Sequence, residues 1–298
     1  MNTAAATAPP NISSRVRLVL GVFKLRIGVM IMVTALAGLA VTPGPALTLT
    51  QGLVLALAVL LSSASAGAFN QYYEYESDRR MARTRNRAFA TGALRPSPLW
   101  LGLILALLAG SVAATWLVIN GVSAFFVFLG AFFYAVVYTV WLKRRSWLNI
   151  VIGGAAGSFA VLAGAAAVDP ALGAHGLLLA LVLFLWTPPH FWSLAIANEK
   201  DYAAAGVPML PVVVGMERAA RVVYASTLAL VAASLLPIAF GAGPVYLLGA
   251  ASGGGYFVYK ARRLARQPSR STALGSFFGS LVQLALLLAA ASVDGLIR

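Results

Sequence analysis

A 298-residue chain that is 60% hydrophobic and only 10% charged, with a mean hydropathy of +0.86, is not a soluble domain, in which about a quarter of residues are charged. Its net charge of +14, from 22 Lys and Arg against 8 Asp and Glu, would suggest nucleic acid in a soluble chain; spread between apolar runs it points to membrane lipids and to no nucleic-acid partner. With no cysteine, a disulfide framework and a thiolate metal site are excluded.

Residues 1–21 read as an N-terminal tail, small, polar and Pro-containing over 1–14 and without the apolar core and cleavage site of a secretory signal. Residues 22–298 read as a single polytopic domain. Runs of roughly 20 residues, enough to cross a ~30 Å hydrocarbon core, fall near 22–41, 50–70, 98–119, 122–141, 149–168, 174–196, 222–241, 243–260 and 272–293. The predicted fold is an all-α integral membrane protein, a bundle of about nine transmembrane helices with a central cavity open to the cytoplasmic-side loops. Of the 22 Lys and Arg, 21 lie in segments that share one side of such a bundle. The positive-inside rule puts that side in the cytoplasm of a prokaryotic plasma membrane.

The second span ends in NQYYEYESDRRMARTRNR, residues 70–87. Three of the eight acidic residues, Glu74, Glu76 and Asp78, fall within five positions there, followed by five arginines. On a continued helix Asn70, Glu74 and Asp78 recur every four residues on one face, with Glu76 turned away. Crowded carboxylates repel unless a cation sits among them, and an oxygen-only set suits Mg²⁺ bound with substrate phosphates. Arg83 and Arg87, four apart, would present two forks to a diphosphate if that stretch is helical.

The fourth span closes on YTVWLKRRSWLN, where Lys143 is the residue favoured for phosphate contact. In the fifth, IVIGGAAGS reads as close helix packing, or as room for a bulky apolar ligand. The sixth leads into LWTPPHFWSLAIANEKDYAAAGVPMLPVVVG. Pro188 and Pro189 imply a kink or cavity within the membrane. At about 100° per residue on one helix, His190, Asn198 and Asp201 share a face and Glu199 points away. Two carboxylate clusters at one membrane face could hold metal across one diphosphate, with Asn198 and Asp201 joining Asn70, Glu74, Glu76 and Asp78 as ligands and Lys200 beside the phosphate.

The three stretches 70–87, 138–157 and 186–213 together resemble the protoheme IX farnesyltransferases, or heme O synthases, of the intramembrane prenyltransferase superfamily. The first two mark the superfamily; the third, with Pro-His, Lys-Asp-Tyr and Pro-x-Leu-Pro, is similar to the heme branch. Family members often have aspartates where Glu74 and Glu76 stand. The resemblance implies that farnesyl diphosphate and heme B are the substrates, Mg²⁺ the cofactor, and heme A synthase or terminal oxidase assembly the downstream partners. It implies catalytic roles for Asn70, Glu74, Asp78, Lys143 and Asp201, diphosphate contacts for Arg83, Arg87, Lys143 and Lys200, and a heme contact for His190. Prenylation of an aromatic quinone precursor would use the same diphosphate site without an iron ligand; a heme-handling transporter or scaffold would need neither acidic cluster.

Overall fold

The computed structural model describes residues 12–297, whose regular elements are all helices, with no strand among the described residues. In chain order the helices are α1 (Ile12–Val22), α2 (Leu25–Val41), α3 (Leu49–Asp78), α4 (Pro98–Val118) and α5 (Gly121–Phe132), which runs on as a π-helical segment, Phe133–Leu142. Then come α6 (Asn149–Gly153), α7 (Ala155–Val168), α8 (Ala174–Ala197), α9 (Glu199–Ala204), α10 (Leu210–Val214), α11 (Met216–Ala239), α12 (Pro244–Arg266) and α13 (Arg270–Ile297).

Every expected span coincides with a helix, but the count by apolarity is lower than nine. Seven helices among the described residues are long and apolar enough to cross a membrane, and α1 with α2, bent by 47° at their junction, supplies an eighth. The ninth, α12, holds a run of glycines, three tyrosines and the basic end KARRLAR, which keep it below the others in hydropathy. Of the expected tail, residues 1–11 lie outside the described residues, and 12–21 fall within α1.

Helix ends follow local chemistry. Thr48 and Gln51 form a capping box at the start of α3, Asn120 caps α5 through the Ser123 amide, and α4 and α12 begin with proline in their first turn. At α12, Asp294 of α13 accepts from the amides of Gly243 and Tyr246.

The spanning helices pack in sequence, α2 on α3, α3 on α4, α4 on α5, α5 on α7, α7 on α8, α8 on α11, α11 on α12 and α12 on α13, and α13 closes back on α2. Contacts of α2 with α7 and of α8 with α13 draw the ring together. Lipid is as apolar as a leucine side chain, so helices associate by close packing and hydrogen bonds rather than by hydrophobic force. Accordingly Ser62 donates to Val127 O, Ser65 to Ile104 O and Ser123 to Ala163 O across helix pairs. At α2–α7, Gly38 and Gly164 each lie where a Cβ would run into backbone of the other helix. Gly153 and Gly154 are filled against Tyr138 and Thr187, whereas Gly157 faces open space.

Candidate active site

Because α3 stays helical to Asp78, the four-residue spacing brings Asn70, Glu74 and Asp78 onto one face, buried to 2%, 1% and 2% relative exposure. Glu76 lies on the exposed side, accepting from the Tyr75 hydroxyl at 3.3 Å. The Asn70 amide donates to Glu74 Oε2 at 2.6 Å and to Thr139 Oγ1 at 3.1 Å. Lys143 Nζ closes an ion pair on the same Glu74 Oε2. The other carboxylate oxygen, Oε1, is buried without a hydrogen-bond partner.

Two features bring the partners in. The π-helical segment bonds Lys143 N to Tyr138 O at 2.9 Å and Thr139 Oγ1 to Tyr134 O at 2.8 Å, both five residues back. In an α-helix, residues five apart are about 140° apart around the axis; the wider winding aligns Tyr134 with Thr139 and Tyr138 with Lys143 along the face toward α3. Such wide turns are frequent at functional sites. The second feature is the break between α1 and α2. There Lys24, with left-handed φ 49° and ψ 42°, sends Nζ to Asn70 Oδ1 at 2.7 Å and to the Tyr134 hydroxyl at 3.4 Å. Gln71, one residue along, clamps the end of α1 by donating to the carbonyls of Gly21 and Val22.

Residues 79–97 form consecutive turns instead of a helical extension, so the premise that Arg83 and Arg87 sit four apart on a helix does not hold. Both nevertheless line one cavity of about 470 Å³, together with Arg17, Gln71 and Asn86. Arg87 Nη1 also pairs with Asp78 Oδ2 at 2.8 Å, and Thr84 Oγ1 donates to Asp78 O, which folds the turn over the helix end. The cluster thus gathers three cations, Lys24, Lys143 and Arg87, around two carboxylates, Glu74 and Asp78. Its formal charge is positive before any metal enters.

The second polar stretch meets the first at the same face of the bundle: Met81 packs with Tyr202, Val207 and Met209. Yet α8 stops at Ala197, where Asn198 leaves the helix with φ −124° and ψ 28° and α9 starts anew. The single continuous helix on which His190, Asn198 and Asp201 would share a face is therefore absent. Asn198 turns its amide back to Leu194 O at 2.8 Å, Asp201 is half-buried on α9, and Lys200 is exposed. Among the described residues, no hydrogen bond or ion pair joins Asn198, Lys200 or Asp201 to the first cluster, and no three Asp, Glu, His or Cys side chains converge as a metal site. The six-residue ligand set is not assembled; Asn70, Glu74 and Asp78 are its gathered part.

His190 lies deeper, and α8 continues through Pro188 and Pro189 to reach it. Its ring stacks between Trp186 and Phe277, centroids 4.1 and 4.5 Å away. Nδ1 is 2.6 Å from Ser280 Oγ. Ser280 spends its own proton on Phe277 O at 2.6 Å, so at Nδ1 it accepts. That assigns the proton to Nδ1 and the lone pair to Nε2, the pattern by which a hydroxyl or carbonyl orients a metal-binding histidine.

Lys24, Tyr134 and Thr139 are site residues that the sequence reading passed over. Lys24 alone carries a signal, a lysine inside the apolar run GVFKLRIGV, hidden because it counts equally well as a topology charge.

The profile of the UbiA prenyltransferase family matches residues 31–287. Protoheme IX farnesyltransferase 2 of Paramagnetospirillum magneticum is 55% identical over 285 residues, 96% of this chain and 99% of that protein. Protoheme IX farnesyltransferase 1 of Cenarchaeum symbiosum is 38% identical over 283 residues, 93% and 95% of the two chains. Among solved structures, a digeranylgeranylglyceryl phosphate synthase shares the fold with a TM-score of 0.78 at 18% identity, over 95% of this chain and 99% of its own. A UbiA homolog from Archaeoglobus fulgidus, bound to GPP and Mg²⁺, does so with a TM-score of 0.67 at 16% identity, over 91% and 99%. The chain belongs to the UbiA prenyltransferase family of integral membrane prenyltransferases, in the branch of the protoheme IX farnesyltransferases.

Proposed function

We propose that this chain transfers the farnesyl group of farnesyl diphosphate to a vinyl group of heme B, giving heme O. The observation that carries the reading is Glu74, buried near the end of a membrane helix with one oxygen unbonded and two lysines nearby, on the helix whose Gln71, with Arg83 and with the Asp78 partner Arg87, lines an arginine-rich cavity. An unsatisfied buried carboxylate oxygen is costly, and a hard cation is the partner its chemistry fits. Glu74 Oε1 with Asn70 and Asp78 would hold Mg²⁺, which the Archaeoglobus homolog binds together with its prenyl diphosphate. Asp201, across the Met81–Tyr202 contact, is the candidate for the far side of the diphosphate. When bound, Mg²⁺ supplies charge neutralisation for the departing diphosphate.

The chain's own groups do the rest. Arg83, Arg87 and Lys143 set donors against the charge that develops on the leaving oxygen. As the C–O bond breaks, the electron pair leaves with diphosphate; the allylic cation takes the vinyl electrons, and water adds to the resulting carbocation and gives up a proton to the released diphosphate, leaving a hydroxyethylfarnesyl side chain. Tyr134 and Tyr138, stacked with centroids 5.5 Å apart, present π faces suited to an allylic cation, while the apolar bundle keeps water from it too early. The basic segments face the cytoplasm of a prokaryotic plasma membrane in this reading, and the product passes to heme A synthase or terminal oxidase assembly.

The test is incubation of the purified protein with farnesyl diphosphate, Mg²⁺, heme B and an aromatic ring acid as competing acceptor, followed by mass analysis for heme O and for the farnesylated acid. Farnesylation of an aromatic ring acid with heme B untouched would overturn the reading in favour of quinone-precursor chemistry.

Two expectations belong with it. Lysine keeps charge but loses the fork, and Arg87 must serve Asp78 and the cavity at once, whereas Arg83 serves the cavity alone. Arg87→Lys should raise the farnesyl diphosphate KM about tenfold, roughly 1.4 kcal/mol, and Arg83→Lys by less, with heme affinity unmoved in both. Equal KM values for both variants and wild type would return these arginines to topology. For His190, whose Nε2 edge is the nitrogen left to reach iron, His190→Ala should weaken heme B binding at least about tenfold while farnesyl diphosphate affinity stays near wild type. Separate titrations decide it, and unchanged heme affinity leaves His190 as a packing residue between α8 and α13.

A further inference from the structure

Lys24 combines three features that topology does not require. It sits at the 47° break between α1 and α2, in a left-handed backbone conformation that is unfavourable for any residue with a Cβ. Its side chain is half-buried, and its amine lies within the field of two other cations, Arg87 and Lys143, and of two carboxylates, Glu74 and Asp78. And it takes the Asn70 carbonyl oxygen at 2.7 Å, the one acceptor that the side chain of Asn70 has. Nδ2 of Asn70 is already committed to Glu74 and Thr139. A divalent ion drawn to Glu74 Oε1 and Asn70 Oδ1 must therefore enter against an ammonium on one of its own ligands, with a second ammonium, Lys143, on Glu74 Oε2.

Resting on the metal-dependent prenyl transfer just argued, we propose that Lys24 is a displaceable internal cation that bars the divalent ion from Asn70 until a diphosphate draws the ammonium away. Metal and diphosphate then enter together. The physical basis is charge: like charges within one buried cluster repel strongly where water is excluded, and an anion carrying several negative charges is what turns that repulsion into attraction. Lys24 is a positioning residue in this scheme, acting on the metal through Asn70. Its place at the junction of α1 and α2 lets a change in its hydrogen bonding be taken up at the bend, leaving α3 in place.

The experiment uses the full chain in detergent, Mn²⁺ as the metal and inorganic pyrophosphate as the anion, with bound Mn²⁺ read from its electron paramagnetic resonance signal at matched free-metal concentrations. Wild type should bind Mn²⁺ at least about tenfold more tightly with pyrophosphate than without. In Lys24→Met, Mn²⁺ alone should bind at least about tenfold more tightly than in wild type, and the gain from pyrophosphate should shrink. Lys24→Arg, which keeps the charge, should behave more like wild type. Mn²⁺ binding in wild type that is indifferent to pyrophosphate overturns the proposal, as does a folded Lys24→Met that binds Mn²⁺ no more tightly; if that variant does not fold, the wild-type comparison decides. Neither measurement involves heme or a prenyl chain. Coupled Mn²⁺ and pyrophosphate binding without heme O formation would overturn the substrate assignment alone, and heme O formation without the coupling would overturn the Lys24 proposal alone.

Discussion

Glu74→Gln is expected to lower turnover by about 10² or more, roughly 2.7 kcal/mol of transition-state stabilisation, while the bundle stays folded. The choice of glutamine matters because Glu74 has two jobs. It is the partner of Lys143 in a pair whose side chains are 1% and 13% exposed, and breaking such a pair by deleting one member costs about 3–5 kcal/mol of stability. Alanine would therefore confound catalysis with folding. Glutamine keeps the shape and an acceptor for Lys143 and the Asn70 amide, and removes the negative charge that would hold the divalent cation against the diphosphate. Asp78→Asn should lose activity with less effect on stability, since its partner Arg87 is 20% exposed and reaches solvent. Heme O formation measured beside a thermal melt in detergent separates the two effects. Near-normal turnover in both folded variants would move the metal chemistry to the α8–α9 junction.

What the sequence made legible was what regular helices encode. The apolar runs located the spans, and the four-residue spacing of Asn70, Glu74 and Asp78 described one face because α3 does continue to Asp78. What it hid lies where the chain departs from α-helical winding. The π-helical turn that aligns Tyr134 with Thr139 leaves no mark in a hydrophobic pattern, since both windings bury similar stretches. The turns of 79–97 invalidate a helical projection for Arg83 and Arg87 but still deliver both to one cavity. At Asn198 a single non-helical residue ends the continuous helix on which His190 and Asp201 would project together. Periodicity already turns Glu76 from the shared face although it counts among the expected ligands, while nothing in the pattern marks Asn198, whose diversion depends on a side chain folding back on Leu194 O. Lys24 was concealed by having a second explanation, the charge bias that orients every membrane protein.

The bundle's most sensitive point should be the α2–α7 crossing, and replacing Gly164 with alanine is expected to destabilise the protein by about 1–3 kcal/mol or more. A Cβ at Gly164 would run into the carbonyl oxygen of Ala35, lie 2.8 Å from its carbonyl carbon and 2.9 Å from the Leu39 amide nitrogen. A Cβ at Gly38 would meet the carbonyl of Val161 in the same way, with the Val161 Cα at 3.1 Å. These neighbours are backbone, so no rotamer change relieves the clash, and the two helices must separate. In lipid that separation forfeits the dispersion contacts on which their association rests. Because one separation accommodates both methyl groups, Gly38→Ala and Gly164→Ala should be markedly sub-additive, with a coupling beyond about 0.5 kcal/mol in a double-mutant cycle on thermal stability. Gly157→Ala, whose Cβ meets nothing within 4 Å, is the matched control and should be close to neutral. Strict additivity of the two alanines would show that the helices do not move as a unit. Separation should also reach the site, since α2 begins one residue after Lys24 and α7 follows directly on α6, which starts at Asn149, whose amide donates to Ser146 O at 2.7 Å and Lys143 O at 3.4 Å. A Gly164 variant that remains folded should therefore show weakened metal-dependent turnover without any change to a residue that touches substrate.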